Sequence, residues 1–158
     1  MNKRVRTMLF LEKLDIDLNN TFECGQNFRW KRREDGAYLG NVEGRAVCAR
    51  RQEGGLLLEG ALPEDEAFWR QYFDADSDYP ALLRDVMDER LGAAMTDCAG
   101  IRVLNQPFYE TLCCFILSAN NNIARITGIV DRFCRIAPLD ENGLHAFPDP
   151  RMVLEAGR

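Results

Sequence analysis

Residues 100–138 read GIRVLNQPFYETLCCFILSANNNIARITGIVDRFCRIAP, and this run decides how the second half of the chain folds. Pro107 suits the first position of a helix, where no backbone donor is needed. From Phe108 to Leu117 nearly every residue is apolar, which predicts a helix buried on most sides. Ser118-Ala119-Asn120-Asn121-Asn122 then interrupts the pattern. Ile123, Ile126, Ile129, Val130 and Phe133 resume it as a second helical stripe. The run predicts two helices joined by a polar corner, with three amides and Arg125 clustered at the join.

Toward the N-terminus, residues 1–60 read as β. Leu14, Ile16 and Leu18 alternate with polar partners, as do Phe28 and Trp30, and then Val47 and Ala49; Leu56–Leu58 is a short apolar run. Asn19-Asn20, Asp35-Gly36, Glu43-Gly44 and Gly54-Gly55 separate these pieces as turns. The spacing predicts an antiparallel meander with one buried face. The character changes at Pro63, where Glu64, Asp65 and Glu66 suit the first turn of a helix. Phe68, Trp69, Tyr72 and Phe73 follow at helical spacing. Asp78-Tyr79-Pro80 starts another helix with Leu82, Leu83 and Val86 as its stripe, and Leu91–Cys98 forms a third that ends at Gly100. Toward the C-terminus, 137–150 reads as loop and 151–158 as a helix just starting. Its apolar Met152, Val153 and Leu154 have no evident partner, which predicts a truncated domain. The fold class expected is α+β: an antiparallel sheet layer followed by helices.

The chain has 158 residues, 46% hydrophobic and 28% charged, as a globular protein has. Its start is basic and then apolar, but Glu12, Lys13, Asp15 and Asp17 interrupt it and no small-residue cleavage site follows. No apolar run is long enough to span a bilayer, so a cytoplasmic protein is expected. The six cysteines fit neither zinc nor iron–sulfur spacing and read as buried free thiols. No metal and no cofactor are expected. The net charge of −5 argues against nucleic acid unless Lys and Arg are segregated. Lys3–Arg6, Arg29–Arg33 and Arg45–Arg51 are basic runs; 64–78 and 85–97 are acidic. These runs form either a basic face or solvated strand edges. His145 is the lone histidine and reads as structural. The many carboxylates read as solvated helix faces.

The Asn120–Arg125 cluster stands apart. Consecutive amides are poor in a helix interior because they compete for backbone hydrogen bonds. Asn121 or Asn122 can cap the helix that starts near Ile123, an interaction worth about 1 kcal/mol. A cap uses one Asn. The remaining amides and Arg125 have the shape that pairs bidentately with nucleobase edges. On the residues alone, both readings stay open.

ANNNIARITG (119–128) and ECGQNFRW (23–30) resemble segments of the 8-oxoguanine DNA glycosylases, members of the helix-hairpin-helix glycosylase superfamily. WRQYFD (69–74), GIRVLNQPFYETL (100–112), GIVDRFC (128–134) and HAFP (145–148) resemble that family in the same order. The resemblance implies a sheet layer like half a TATA-binding protein, followed by the first helices of the glycosylase domain. It divides the chain into 1–112 and 113–158. It implies double-stranded DNA carrying oxidised guanine as partner, a monomer, and excision of 8-oxoguanine opposite cytosine followed by β-elimination at the abasic site. In that scheme the lesion is extruded from the stack. Gly25 matches the glycine whose carbonyl reads the proton on N7 of the lesion. Asn120 and Arg125 match residues that bond the cytosine left behind. Phe28, Arg29 and Trp30 match a strand that packs and positions. The family's catalytic lysine and aspartate have no counterpart here, since the lysines are Lys3, Lys13 and Lys31, so the chain alone is expected to be inactive. The competing readings are a stand-alone DNA-binding or interaction module and a fragment of an alkyladenine-type glycosylase. The latter lacks the Asn-Asn-Asn-Ile-Ala-Arg motif.

Overall fold

A computed structural model describes residues 7–84, 87–140 and 142–157. Strand β1 (Met8–Glu12) precedes helix α1 (Leu18–Phe22). Strands β2 (Lys31–Arg32), β3 (Tyr38–Val42), β4 (Arg45–Gln52) and β5 (Gly55–Glu59) follow. A 3₁₀ turn at Pro63–Asp65 leads into α2 (Glu66–Tyr72), then α3 (Tyr79–Leu83) and α4 (Glu89–Asp97). The last elements are α5 (Phe108–Ser118), α6 (Ile123–Cys134) and α7 (Pro150–Ala156). The fold is α+β, as the alternation and its change at Pro63 lead one to expect.

The sheet has the order β1-β5-β4-β3-β2 and every pairing is antiparallel. The meander expected from the turn residues is β2 to β5. Strand β1, whose sequence looks like an interrupted leader, closes the other side by pairing with β5. One row across the sheet shows the logic: Leu9 sits opposite Leu58, Leu58 opposite Ala49, and Ala49 opposite Tyr38. All four side chains are buried, beneath α1 and α2, which contribute Phe22, Trp69, Tyr72 and Phe73.

Two segments expected as strands are not strands. Leu14, Ile16 and Leu18 are buried, yet 14–17 has no ladder partner. Asp17 accepts a hydrogen bond from the Asn20 amide at 2.7 Å and starts α1. A helix cap therefore overrides the turn that Asn19-Asn20 suggests. Phe28–Trp30 lies outside the sheet, and the ladder begins only at Lys31. Trp30 is taken up by other contacts. It stacks on Phe22 at 4.3 Å and donates through Nε1 to the Tyr72 hydroxyl at 2.9 Å. Its indole also covers Gly40, where a Cβ would lie 2.5 Å from Trp30 Cδ2. Only glycine allows that approach within a strand.

The helices depart further from expectation. α5 is not buried on most sides: Phe108 is 80% exposed, Phe115 75% and Ile116 64%, with only Cys114 buried. Glu110, the helix's one charged residue, faces inward to an ion pair with Arg29 at 2.9 Å. In the stripe expected on α3, Leu82 is exposed and Leu83 is half-buried; Val86 lies outside the described residues. Of the stripe expected on α6, Ile126 and Val130 are buried, Ile129 and Phe133 are half-buried and Ile123 is exposed; Cys134 joins the buried face against Cys114, with Phe28 and Phe147 packed alongside.

Arg29 joins the two layers. Its side chain is 9% exposed; it meets Glu110 on α5 and donates to the His145 carbonyl at 2.6 Å. Lys31 pairs with Asp131 of α6 at 3.0 Å, and Asn41 donates to Asp140 at 2.8 Å. The Lys31 pair is exposed and contributes about 0–1 kcal/mol. Burial pushes the Glu110 carboxyl up from its ordinary range, against the pull of Arg29. A carboxyl so raised favours the fold most below the ordinary value of about 4.3, and that contribution is lost as pH rises through its folded pKa. Arg29→Met is therefore expected to cost about 3–5 kcal/mol near neutral pH, where it strands a buried carboxylate. The loss should shrink in acid as Glu110 takes up a proton. Urea unfolding across the acid-to-neutral range checks this; a loss independent of pH contradicts it.

Candidate nucleic-acid interface

The Gly25 loop follows directly from the end of α1. Gly25 has φ +90°, a conformation open to glycine and strained for other residues. Its Cα faces the first residue of α6: a Cβ at position 25 would lie 3.1 Å from Ile123 Cδ1. Among the described residues its carbonyl accepts no hydrogen bond. The next residue, Gln26, is held from several sides by the segment 102–106, which Arg102 ties down through the carbonyls of Asp15, Asp74 and Ser77.

The polar corner divides its three amides among distinct tasks. Asn122 caps α6, its side-chain oxygen accepting from the Arg125 amide at 2.9 Å. Asn121 closes α5, donating to the carbonyls of Ala119 at 2.8 Å and Leu117 at 3.3 Å. Asn120 makes the turn itself with φ +56°, a left-handed conformation that asparagine tolerates better than most residues. The Asn120 side chain and the Arg125 guanidinium are exposed and have no polar partner among the described residues. Helix capping thus accounts for Asn122 alone.

Gly25 and this corner share a cleft of ≈ 380 Å³, lined among others by Gln26, Phe28, Phe115, Asn121 and Ile123. Asn120 and Arg125 do not line it. The structure therefore brings Gly25 to the α5–α6 corner but leaves Asn120 and Arg125 outside the cleft. Sequence reading missed Phe115, exposed in the cleft, and Gln26, although Gln26 stands inside the quoted GQNFRW segment. Phe28 lines the cleft instead of pairing in a sheet. Cys114 also borders it, and burial pushes its thiol up to about 12, so it stays protonated. The six cysteines are free, but Cys24 and Cys98 are exposed, which corrects the expectation that all are buried.

Among the described residues the basic runs are largely taken up in ion pairs, with exposed Arg32 in none. Arg33 and Arg50 meet Asp35, Arg45 meets Asp65, and Arg51 meets Asp15. Lys3–Arg6 lies outside the described residues. His145 is held structurally, Nδ1 lying 2.6 Å from the Ala137 carbonyl.

The N-terminal domain of the 8-oxoguanine DNA glycosylases matches residues 8–112. The chain belongs to the 8-oxoguanine DNA glycosylase family. It is 31% identical over 152 residues to the N-glycosylase/DNA lyase OGG1 of Arabidopsis thaliana, covering 89% of this chain and 42% of that protein. The chain thus spans less than half the length of that relative. A solved structure of MBOgg1 in complex with a low-affinity DNA ligand superposes with a TM-score of 0.87 at 30% identity, covering 98% of this chain and 55% of that one. The Clostridium acetobutylicum 8-oxoguanine glycosylase/lyase, in complex with DNA containing cytosine opposite 8-oxoG, gives 0.79 at 30% identity over 85% and 49%. No helix among the described residues is long and apolar enough to cross a membrane.

The division of labour at the corner makes a direct prediction about stability. Asn122→Ala should lower it by about 1 kcal/mol through loss of the cap. Arg125→Ala should change it by less than about 0.5 kcal/mol, because the side chain has nothing to lose. Thermal midpoints of the two variants test this, and an equal loss in both would make Arg125 structural.

Proposed function

We propose that this chain forms the base-reading part of a DNA glycosylase and abasic-site lyase that removes 8-oxoguanine opposite cytosine. Gly25 reads the lesion, and Asn120 with Arg125 read the orphaned cytosine. The observation that carries this reading is the free state of Asn120 and Arg125 beside a corner whose other two amides cap α6 and close α5. Polar groups left unpaired at a junction between helices are ready for the edge of a base, where amide and guanidinium groups bond two atoms at once. The reading of Gly25 is supported by its unpartnered carbonyl, its place in the cleft and its positive φ. Guanine lacks a proton on N7, so a single backbone acceptor distinguishes lesion from parent.

The proposed partner is double-stranded DNA bound by a monomer, in the cytoplasm and on the chromosome. The division into 1–112 and 113–158 is likewise proposed on family grounds; it falls inside α5, so that helix belongs physically to both parts. Strand chemistry is assigned to the rest of the family fold. Lys31 is engaged by Asp131, and neither it nor Lys13 lines the cleft that holds Gly25.

Base reading is testable in a protein that continues this chain through the rest of the family fold. Arg125→Ala should lose roughly 1–3 kcal/mol of preference for cytosine over the other opposite bases, measured as excision rates on four duplexes. Unchanged preference would remove Arg125 from the interface. The 158-residue chain by itself, incubated with a duplex carrying 8-oxoguanine opposite cytosine and treated with borohydride, should give neither a trapped adduct nor a nick. Either product would mean that the chemistry resides within these residues.

A further inference from the structure

We infer that Gln26 is the positioning residue for lesion recognition: its side-chain amide fixes the peptide plane that carries the Gly25 carbonyl. The inference rests on the proposed reading of the lesion by Gly25. A peptide group is planar, so the carbonyl of residue 25 lies in one rigid unit with the nitrogen and Cα of residue 26. Glycine at φ +90° has no Cβ to restrict its own orientation. The direction of that carbonyl must therefore be set from the Gln26 end.

Gln26 is anchored on every hydrogen-bonding atom of its side chain. Nε2 donates to the Thr21 carbonyl at 2.7 Å and to the Arg102 carbonyl at 2.8 Å. Oε1 accepts from the Leu104 amide at 2.9 Å. Its backbone carbonyl accepts from Gln106 Nε2 at 2.5 Å. The amide thus stands in for a strand between the end of α1 and the segment 102–106. Arg102, 6% exposed, is itself held by three carbonyls. The anchor is rigid because its own support is buried. A glutamine is the side chain with this reach that offers two donors and an acceptor together. Placement matters at this scale: displacement by about 1 Å of a group that must meet a reacting or recognised atom costs up to about a hundredfold.

The test uses Gln26→Glu, which keeps the shape and the acceptor but turns both donors into carboxylate facing two carbonyls. It is made in a protein that continues this chain through the rest of the family fold. Three affinities are measured: for duplexes carrying 8-oxoguanine, guanine, and a tetrahydrofuran abasic analogue, each opposite cytosine. The expected result is a roughly ten- to hundredfold fall in the ratio of 8-oxoguanine to guanine binding, with the abasic duplex bound within about twofold of the parent. A retained ratio overturns the inference, whatever happens to the melting temperature. An equal loss on all three duplexes overturns it too, because it marks a general structural role. If Gln26→Glu does not fold, Gln106→Glu decides: it keeps the size of a cleft-lining side chain but takes away the donor to the residue 26 carbonyl, and should lower the same ratio by a smaller factor. No change in that ratio then overturns the inference. Gly25→Ala run in parallel separates the two claims. If it leaves the ratio intact, the reading of Gly25 fails and this inference with it. If it abolishes the ratio while Gln26→Glu does not, only the role of Gln26 fails.

Discussion

A guanidinium taken out of water must find acceptors wherever its donors point, and Arg29 imposes that demand at the centre of this molecule. Its partners, Glu110 on α5 and the carbonyl of His145, lie 81 and 116 residues further along the chain. The segment leading into β2, the apolar helix α5 and the loop before α7 converge there. Phe147 completes the enclosure, its ring 5.6 Å from the guanidinium. The same demand turns the single carboxylate of α5 inward. Phe115, on the same helix, stands exposed at the edge of the cleft.

This explains why some of the fold was legible in the sequence and some was not. The β4–β5 hairpin was readable because Val47, Ala49, Leu56 and Leu58 alternate or run together between glycine turns, and local sterics decide such pairings. α6 was readable as a helix from its apolar period, and Ile126 and Val130 mark its buried face, although Ile123 at its start is exposed. The failures share a cause. Leu14–Leu18 and Phe28–Trp30 alternate like strands because they are half buried, but period reports burial and not pairing. Asp17 and Arg29 place those segments through particular polar contacts, a helix cap and two bonds to distant residues, that no periodicity encodes. α5 was misread because hydrophobicity says how much surface a helix wants covered, not which side of it the available neighbour occupies.

The candidate site divides along the same line. The sequence motif supplied Gly25, Asn120 and Arg125 together, but residue types alone could not separate a helix cap from a base reader. The separation needed geometry: Asn122 is the cap, Asn121 closes α5, and Asn120 turns the chain. What remains free is what a proposed partner would bond. Gln26 was overlooked because a glutamine between two named residues carries no chemistry of its own; its importance lies in the carbonyls and the amide around it, contributed from residues 21 and 102–106.

The geometry also links the two proposed reading elements more closely than the 95-residue separation of Gly25 and Asn120 suggests. Asn122 fixes the first turn of α6 by its cap, and Ile123 is the next residue. The position of the Ile123 side chain is therefore set by the same hydrogen bond that shapes the corner. That side chain ends 3.1 Å from where a Cβ of residue 25 would stand. Glycine at 25 consequently answers two separate demands, a positive φ and a wall made by α6. The wall is an aliphatic tip, which yields by a few tenths of an ångström at low energy, whereas the dihedral does not. Backbone conformation is thus the stronger of the two reasons for glycine here. Gly25 and Ile123, the first residue of α6, border one cleft, so the loop after α1 and the α5–α6 corner face the same space. That shared cleft is what the proposed reading of both bases of one pair requires of a loop and a corner so far apart in the chain.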